Sequence, residues 1–192
     1  MTTEADPRID GVGWSRVSGH PDQRGSFREL WRAGAYGALP EEQAGRRDAT
    51  FVQANLSRSS AQVLRGMHCH RRQLDHWIVL RGRVFVALVD IRAVVARRST
   101  ATVVTRVMER DDTVTIPVGV AHGFLTLEPV ELLYLVTNEY DGTDELAFAW
   151  DDPALAIPWP AMPGGPVLSE RDRANPSLAD LIRDLGMDAL RS

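Results

Sequence analysis

Val84-Phe85-Val86-Ala87-Leu88-Val89-Asp90-Ile91 is the stretch on which the fold turns. It is apolar on both of the faces a strand presents, the pattern of a strand buried within a double-layered β structure. Outward from it the chain keeps to short runs rich in β-branched and apolar residues. Thr50–Leu56, Val63–Met67 and Trp77–Leu80 precede it; Thr102–Val107, Thr113–Ile116, Leu132–Thr137 and Leu146–Trp150 follow. Arg81-Gly82 and Pro117-Val118-Gly119 are turn signals between runs. Many short strands at this spacing indicate a sandwich or barrel. The first dozen residues read as loose. Near the other end, Leu178, Leu181, Ile182 and Leu185 stand three and four apart and form one apolar helix face. Asn175 is placed to cap that helix, Pro176 to occupy its first position and Gly186 to end it. The expectation is a mostly β domain over residues 1–192 with a short C-terminal helix packed on its exterior.

The chain has 192 residues, enough for one domain with its own core. Its formal net charge of -4 gives no sign of a nucleic-acid surface. All 22 basic residues are arginine. The absence of lysine excludes Schiff-base chemistry and a Walker-type phosphate lysine, so any phosphate falls to the bidentate arginine fork. A single cysteine, Cys69, rules out an internal disulfide. The Met1–Pro7 segment is polar, and no apolar run approaches the roughly 18 residues of a membrane span, so a cytoplasmic protein without a membrane partner is expected.

Four of the five histidines fall in two places. His68, His70 and His76 lie in and just after Arg65-Gly66-Met67-His68-Cys69-His70, and His122 lies in Ile116-Pro117-Val118-Gly119-Val120-Ala121-His122-Gly123-Phe124. On a strand His68 and His70 point to one face. His122 follows a Pro-x-Gly turn that starts another strand. Singly, each histidine reads as a satisfied polar group. Two such segments brought together inside a barrel read as a site.

The words around them occur in a known order. Asp22-Gln23-Arg24-Gly25-Ser26-Phe27-Arg28-Glu29 fits D-x-R-G-x-F-x-E, and Phe51 to Ser59 fits F-x-Q-x-N-x-S-x-S. Val63-Leu64-Arg65-Gly66-Met67-His68, Val89-Asp90-Ile91-Arg92 and Ile116 to Phe124 follow, then the pair Tyr134 and Tyr140. Trp150-Asp151-Asp152-Pro153, Ile157-Pro158-Trp159-Pro160 and Leu168-Ser169-Glu170-Arg171-Asp172 close the series. In this order the chain resembles the dTDP-4-dehydrorhamnose 3,5-epimerase family over about four-fifths of its length, from Asp22 to Asp172.

The resemblance implies a cupin-type double-stranded β-helix, a jelly-roll barrel, and a nucleotide-sugar epimerase. Its substrate would be a dTDP-4-keto-6-deoxyhexose, inverted at C3, C5 or both through an enolate, in deoxysugar biosynthesis. It implies His68 as base, Asp172 as the carboxylate that orients and charges the imidazole, and Tyr134 as acid on the other face. An imidazole suits the first role because it titrates near neutral pH. Arg24, Phe27, Glu29, Gln53 and Asn55 would hold the nucleotide, with Arg24 supplied by the neighbouring subunit of a homodimer through segment exchange. Arg65 and Arg171 would face the diphosphate or sugar, and His122 the keto group. Tyr140 would stack on thymine, and Glu145 would be a further binding residue. Asp152 reads either as a second carboxylate or as a turn residue before Pro153. The family needs no metal or other cofactor, and none is expected.

The match breaks after His68. The family has an aromatic residue and glutamine there, then a loop and a lysine beside the C4 oxygen. Here Cys69 and His70 follow, the loop is about three residues shorter, and the lysine position falls near Asp75 or His76. Arg72, His76 and His122 are the candidates to replace that cation, whose loss from an oxyanion site costs several kcal/mol. The same change creates His68-x-His70, Asp75 and His122, a set of three histidines and a carboxylate that suits iron, manganese, nickel or zinc. Two rivals therefore stand beside the epimerase: a metal-dependent cupin enzyme acting on another small molecule, and a non-catalytic sugar-binding cupin. Arg24, Gln53, Asn55 and Tyr140 favour the epimerase, because a metal cupin has no need of a nucleotide grip.

Overall fold

The computed structural model of the chain describes residues 3–32 and 49–188. Its central strands are β5 (Gln53–Ser59), β6 (Leu64–His70), β7 (Asp75–Arg81), β8 (Arg83–Asp90), β9 (Thr102–Glu109), β10 (Asp112–Ile116), β11 (Val120–Thr126) and β12 (Val130–Val136). They divide between two sheets, one ordered β5-β12-β7-β10 and the other β6-β11-β8-β9, and every pairing is antiparallel. That order is the jelly roll, the double-stranded β-helix expected from the sequence. β1 (Glu4–Ala5) and β2 (Gly13–Arg16) extend the first sheet beyond β10, and β13 (Glu145–Ala147) extends the second beside β6. β3 (Gly19–Asp22) and β4 (Gly25–Arg28) form a separate exposed hairpin.

The opening stretch is apolar on both faces because both faces are covered. Val84, Val86 and Leu88 of β8 pack between the sheets with Trp77, Val114, Phe124 and Leu132. Ala87 and Val89 face the other way, into a second cluster with Met67, Phe148, Leu155, Leu178 and Leu181. Each fully buried aliphatic side chain of this kind contributes about 1.5–3 kcal/mol relative to exposure. The last two residues of the second cluster belong to a helix, α3 (Leu178–Asp188), which lies on the exterior of the second sheet after two short ones, α1 (Arg92–Val95) and α2 (Glu170–Arg173). No helix among the described residues is long and apolar enough to cross a membrane.

The structure corrects three local expectations. Among the described residues the N-terminal segment is not loose: Ile9 is fully buried, and Asp6 accepts hydrogen bonds from the Trp14 indole at 3.0 Å and from the Arg8 and Ile9 amides. A side-chain turn of this type leaves no hydrophobic period to read. Helix α3 is capped by Ser177 and not by Asn175, through a reciprocal pair in which the Asp180 amide donates to Ser177 Oγ and Ser177 Oγ donates to the Asp180 carboxylate. The helix also runs past Gly186 to Asp188. Strand bounds shift by a few residues, with Gln53–Ser59 in place of Thr50–Leu56 and Glu145–Ala147 in place of Leu146–Trp150.

Candidate active site

Two glycines set the geometry of the histidine strands. A Cβ on Gly66 would stand 2.6 Å from the Gly123 Cα, and one on Gly123 would stand 2.7 Å from Met67 Sδ. Only without side chains can β6 and β11 approach so closely, and the register shifts there between His122 and Phe124. His122 is thereby paired directly with His68. Both line a cavity of about 340 Å³ between the sheets.

His68 is gripped from the C-terminal segment. Its Nε2 lies 2.7 Å from Asp172 Oδ1. Asp172 is itself fixed by Ser169, which caps α2: the Asp172 amide donates to Ser169 Oγ, and Ser169 Oγ donates to Asp172 Oδ2. The Leu168-Ser169-Glu170-Arg171-Asp172 word is thus a cap that aims one carboxylate oxygen at an imidazole. Burial pushes Asp172 upward, but the bond and charge of His68, with Ser169 and the Gly66 amide, pull it below the usual carboxylate range. The other His68 nitrogen faces Glu145 of β13 at 3.2 Å, and Arg171 holds Glu145 at 2.9 Å.

The opposite wall comes from the first sheet. The alternation of β5 turns Gln53, Asn55 and Ser57 into the cavity. Tyr134 on β12 lies between Asn55 of β5 and Trp77 of β7 and also lines it. Burial, then the charge of Asp75, raises the Tyr134 hydroxyl above its ordinary pKa, against the opposing pull of Arg65. Arg65 and Tyr140 complete the polar lining, and the Tyr140 amide donates to Gln53 Oε1 at 3.0 Å.

The expected four-residue metal set is divided. His70, Asp75 and His122 converge, with candidate ligand atoms all within 4.8 Å of one another, whereas His68 turns to Asp172. Of the three candidates to replace the missing cation, His122 lines the cavity and the others do not. Arg72 is exposed and paired with Asp141 and Asp144. His76 bonds Thr115 Oγ1 at 2.9 Å, packs on Phe51, and is lowered to about 4 by burial. Arg72 lies in the turn between β6 and β7, and the His76 side chain leaves β7 on the face away from the lining.

Arg24, Phe27 and Glu29 lie outside the cavity of their own chain. The β3–β4 hairpin leaves Phe27 70% exposed, Arg24 pairs with Asp22 at 2.5 Å, and Glu29 pairs with Arg32. Asp152 is the turn residue of the two alternatives, accepting the Leu178 and Ala154 amides. The apolar lining residues Trp77, Phe124, Leu132 and Val136, and Gln73 beside them, had no signal in the sequence, since they read like any other core residue of a strand or like loop.

Comparison with known proteins adds an independent line. A model of the dTDP-4-dehydrorhamnose 3,5-epimerase family matches residues 6–180. The dTDP-4-dehydrorhamnose 3,5-epimerase of Pseudomonas aeruginosa is 38% identical over 167 residues, covering 83% of this chain and 86% of that protein. The structure of the Mycobacterium tuberculosis rmlC epimerase superposes with a TM-score of 0.80 at 32% identity, covering 97% of this chain and 92% of that one. That of the 3,5-epimerase RmlC from Legionella pneumophila, solved in complex with dTDP-4-keto-L-rhamnose, gives 0.78 at 32% identity, with 94% and 96% covered. A metal-dependent enzyme acting on another small molecule is not favoured by these matches.

Proposed function

Because the chain belongs to the dTDP-4-dehydrorhamnose 3,5-epimerase family, we propose that its cavity seats a keto-sugar between His68 on one sheet and Tyr134 on the other. The protein is an epimerase that inverts C3, C5 or both of a dTDP-4-keto-6-deoxyhexose through an enolate, in deoxysugar biosynthesis. The protons at C3 and C5 are acidic because both carbons flank the C4 ketone. His68 takes one of them on Nδ1, the ring nitrogen that faces Glu145 and not Asp172. The observation that carries this assignment is the 2.7 Å contact between His68 and Asp172, whose depressed pKa keeps it anionic at neutral pH and ready to stabilise an imidazolium. Tyr134 returns a proton from the far face. Incubated with such a substrate in heavy water, the protein is expected to place deuterium at C3, C5 or both while forming the epimer. A substrate recovered without label under those conditions contradicts the reading.

Gln53, Asn55 and Tyr140 hold the nucleotide, Arg65 and Arg171 the diphosphate or sugar, Glu145 is a further binding residue, and His122 stands at the keto group. Arg24, Phe27 and Glu29 reach the cavity of a second copy, in a homodimer that exchanges the hairpin. Two features support this. The hairpin stands exposed, and the edge strand β5 shows Leu56 on its outer face, nearly half exposed like Val52 just before the strand. Light scattering at micromolar concentration is expected to report twice the chain mass; a monomer there contradicts the exchange. The buried lone thiol of Cys69 suits a reducing cytoplasm.

A further inference from the structure

We propose that His70, Asp75 and His122 hold a divalent first-row transition-metal ion whose open positions face the keto oxygen of the sugar. The three come from separate strands, the end of β6, the start of β7 in the facing sheet and the middle of β11, and all line the cavity. Asp75 Oδ2 lies 3.2 Å from His122 Nε2 and 3.8 Å from His70 Nε2. The second distance is too long for a hydrogen bond. Ligands about 2.1 Å from a tetrahedral ion stand about 3.4 Å apart, so the three atoms bracket the space of one ion.

The surroundings are those of ligands rather than of a hydrogen-bonded network. Gln73 Nε2 donates to Asp75 Oδ1 at 2.8 Å and leaves Oδ2 to the histidines. His122 turns its Nε2 to Asp75 Oδ2, and its Nδ1 is buried with no hydrogen-bond partner. His70 Nδ1 is buried with no hydrogen-bond partner and stands 3.8 Å from Asp144. Asp75 is buried and faces two imidazoles, a charge arrangement that a dication completes. Because Asp172 engages His68, three protein ligands remain, the number that keeps positions free for a substrate oxygen.

The inference deepens the epimerase reading and rests on it. When His68 takes the proton, the C–H electron pair moves into the carbonyl and leaves charge on the C4 oxygen. Among the described lining residues Arg65 is the permanent cation, and it is assigned to the diphosphate or sugar and donates to Ser59 Oγ at 3.2 Å. The chain has no lysine to offer. An ion beside His122 supplies the missing electrophile.

The test uses the full chain stripped with chelator and then dialysed against zinc or, as a spectroscopic probe, cobalt. The expected result is about one ion per chain, with binding about a hundredfold weaker or worse in His70→Gln and in Asp75→Asn. Two near-isosteric variants, each checked by thermal melting, separate loss of the site from loss of the fold. Substrate should shift the visible cobalt bands, and stripped protein should exchange deuterium about a hundredfold more slowly until zinc is returned. Failure to retain an ion, or exchange at full rate in stripped protein, overturns the metal site and leaves the epimerase standing. An ion bound with exchange absent from both stripped and loaded protein overturns the epimerase reading and, with it, the role given to the ion.

Discussion

Replacing His68 with alanine is expected to eliminate both deuterium uptake beside the ketone and formation of the epimer. The two losses go together because both begin with removal of the same proton. A positioned general base contributes about a hundred- to ten-thousandfold, or about 2.7–5.4 kcal/mol of barrier. His68 is placed for that task by Asp172 on one nitrogen, Glu145 on the other, and the close approach of Gly66 to Gly123 that brings β6 against β11. The truncation is only partly buried, so the barrel should survive it, and a melting curve near that of the unmodified chain would show that activity was lost without the fold. Asp172→Asn belongs to the same series. The amide keeps the shape and the Ser169 cap but cannot stabilise an imidazolium, so exchange and epimerisation should fall together, toward the level of His68→Ala. Measurable proton exchange at the unmodified rate in His68→Ala removes His68 from the role of base, whatever the fold.

Tyr134→Phe is expected to split the two signals. The hydroxyl lost is the one proposed to return a proton from the far face, while His68 and Glu145 on the opposite sheet and Asp172 of α2 are untouched. The enolate still forms. His68 hands back a solvent-exchanged proton to the face from which it came, so deuterium enters without inversion. Label uptake should persist within a few fold while epimer formation falls about a hundredfold or more, the size of a general acid's contribution. Phenylalanine keeps the ring that packs with the core, so stability should change little. Read by nuclear magnetic resonance, retained configuration with full label is the distinguishing product. Inversion at the unmodified rate would mean that another group delivers the second proton.

Much of the architecture was legible before any coordinates. The double-sided apolarity of Val84–Ile91 required cover on both faces, and the two sheets and the C-terminal segment provide it. The helix at Leu178, Leu181, Ile182 and Leu185 showed itself through its period, and the turns at Arg81-Gly82 and Pro117-Val118-Gly119 through their residues. His68, Tyr134 and Asp172, and the polar face Gln53-x-Asn55, could be named because each sits in a fixed word of a resembling family. Local chemistry suffices for such features: strand and helix periods, caps and turns depend on residues a few positions apart.

What depends on distant pieces of chain was not legible. Period two puts His68 and His70 on one face of β6, and read alone it makes them partners with Asp75 and His122 in one cluster. The folded chain separates them. Asp172, 104 positions away and aimed by the Ser169 cap, takes His68, whereas His70 joins Asp75 from the facing sheet and His122 from the neighbouring strand. A strand's period decides which face a side chain occupies. It cannot decide which remote segment packs against that face, and here that packing makes one histidine a proposed base and the other two proposed ligands.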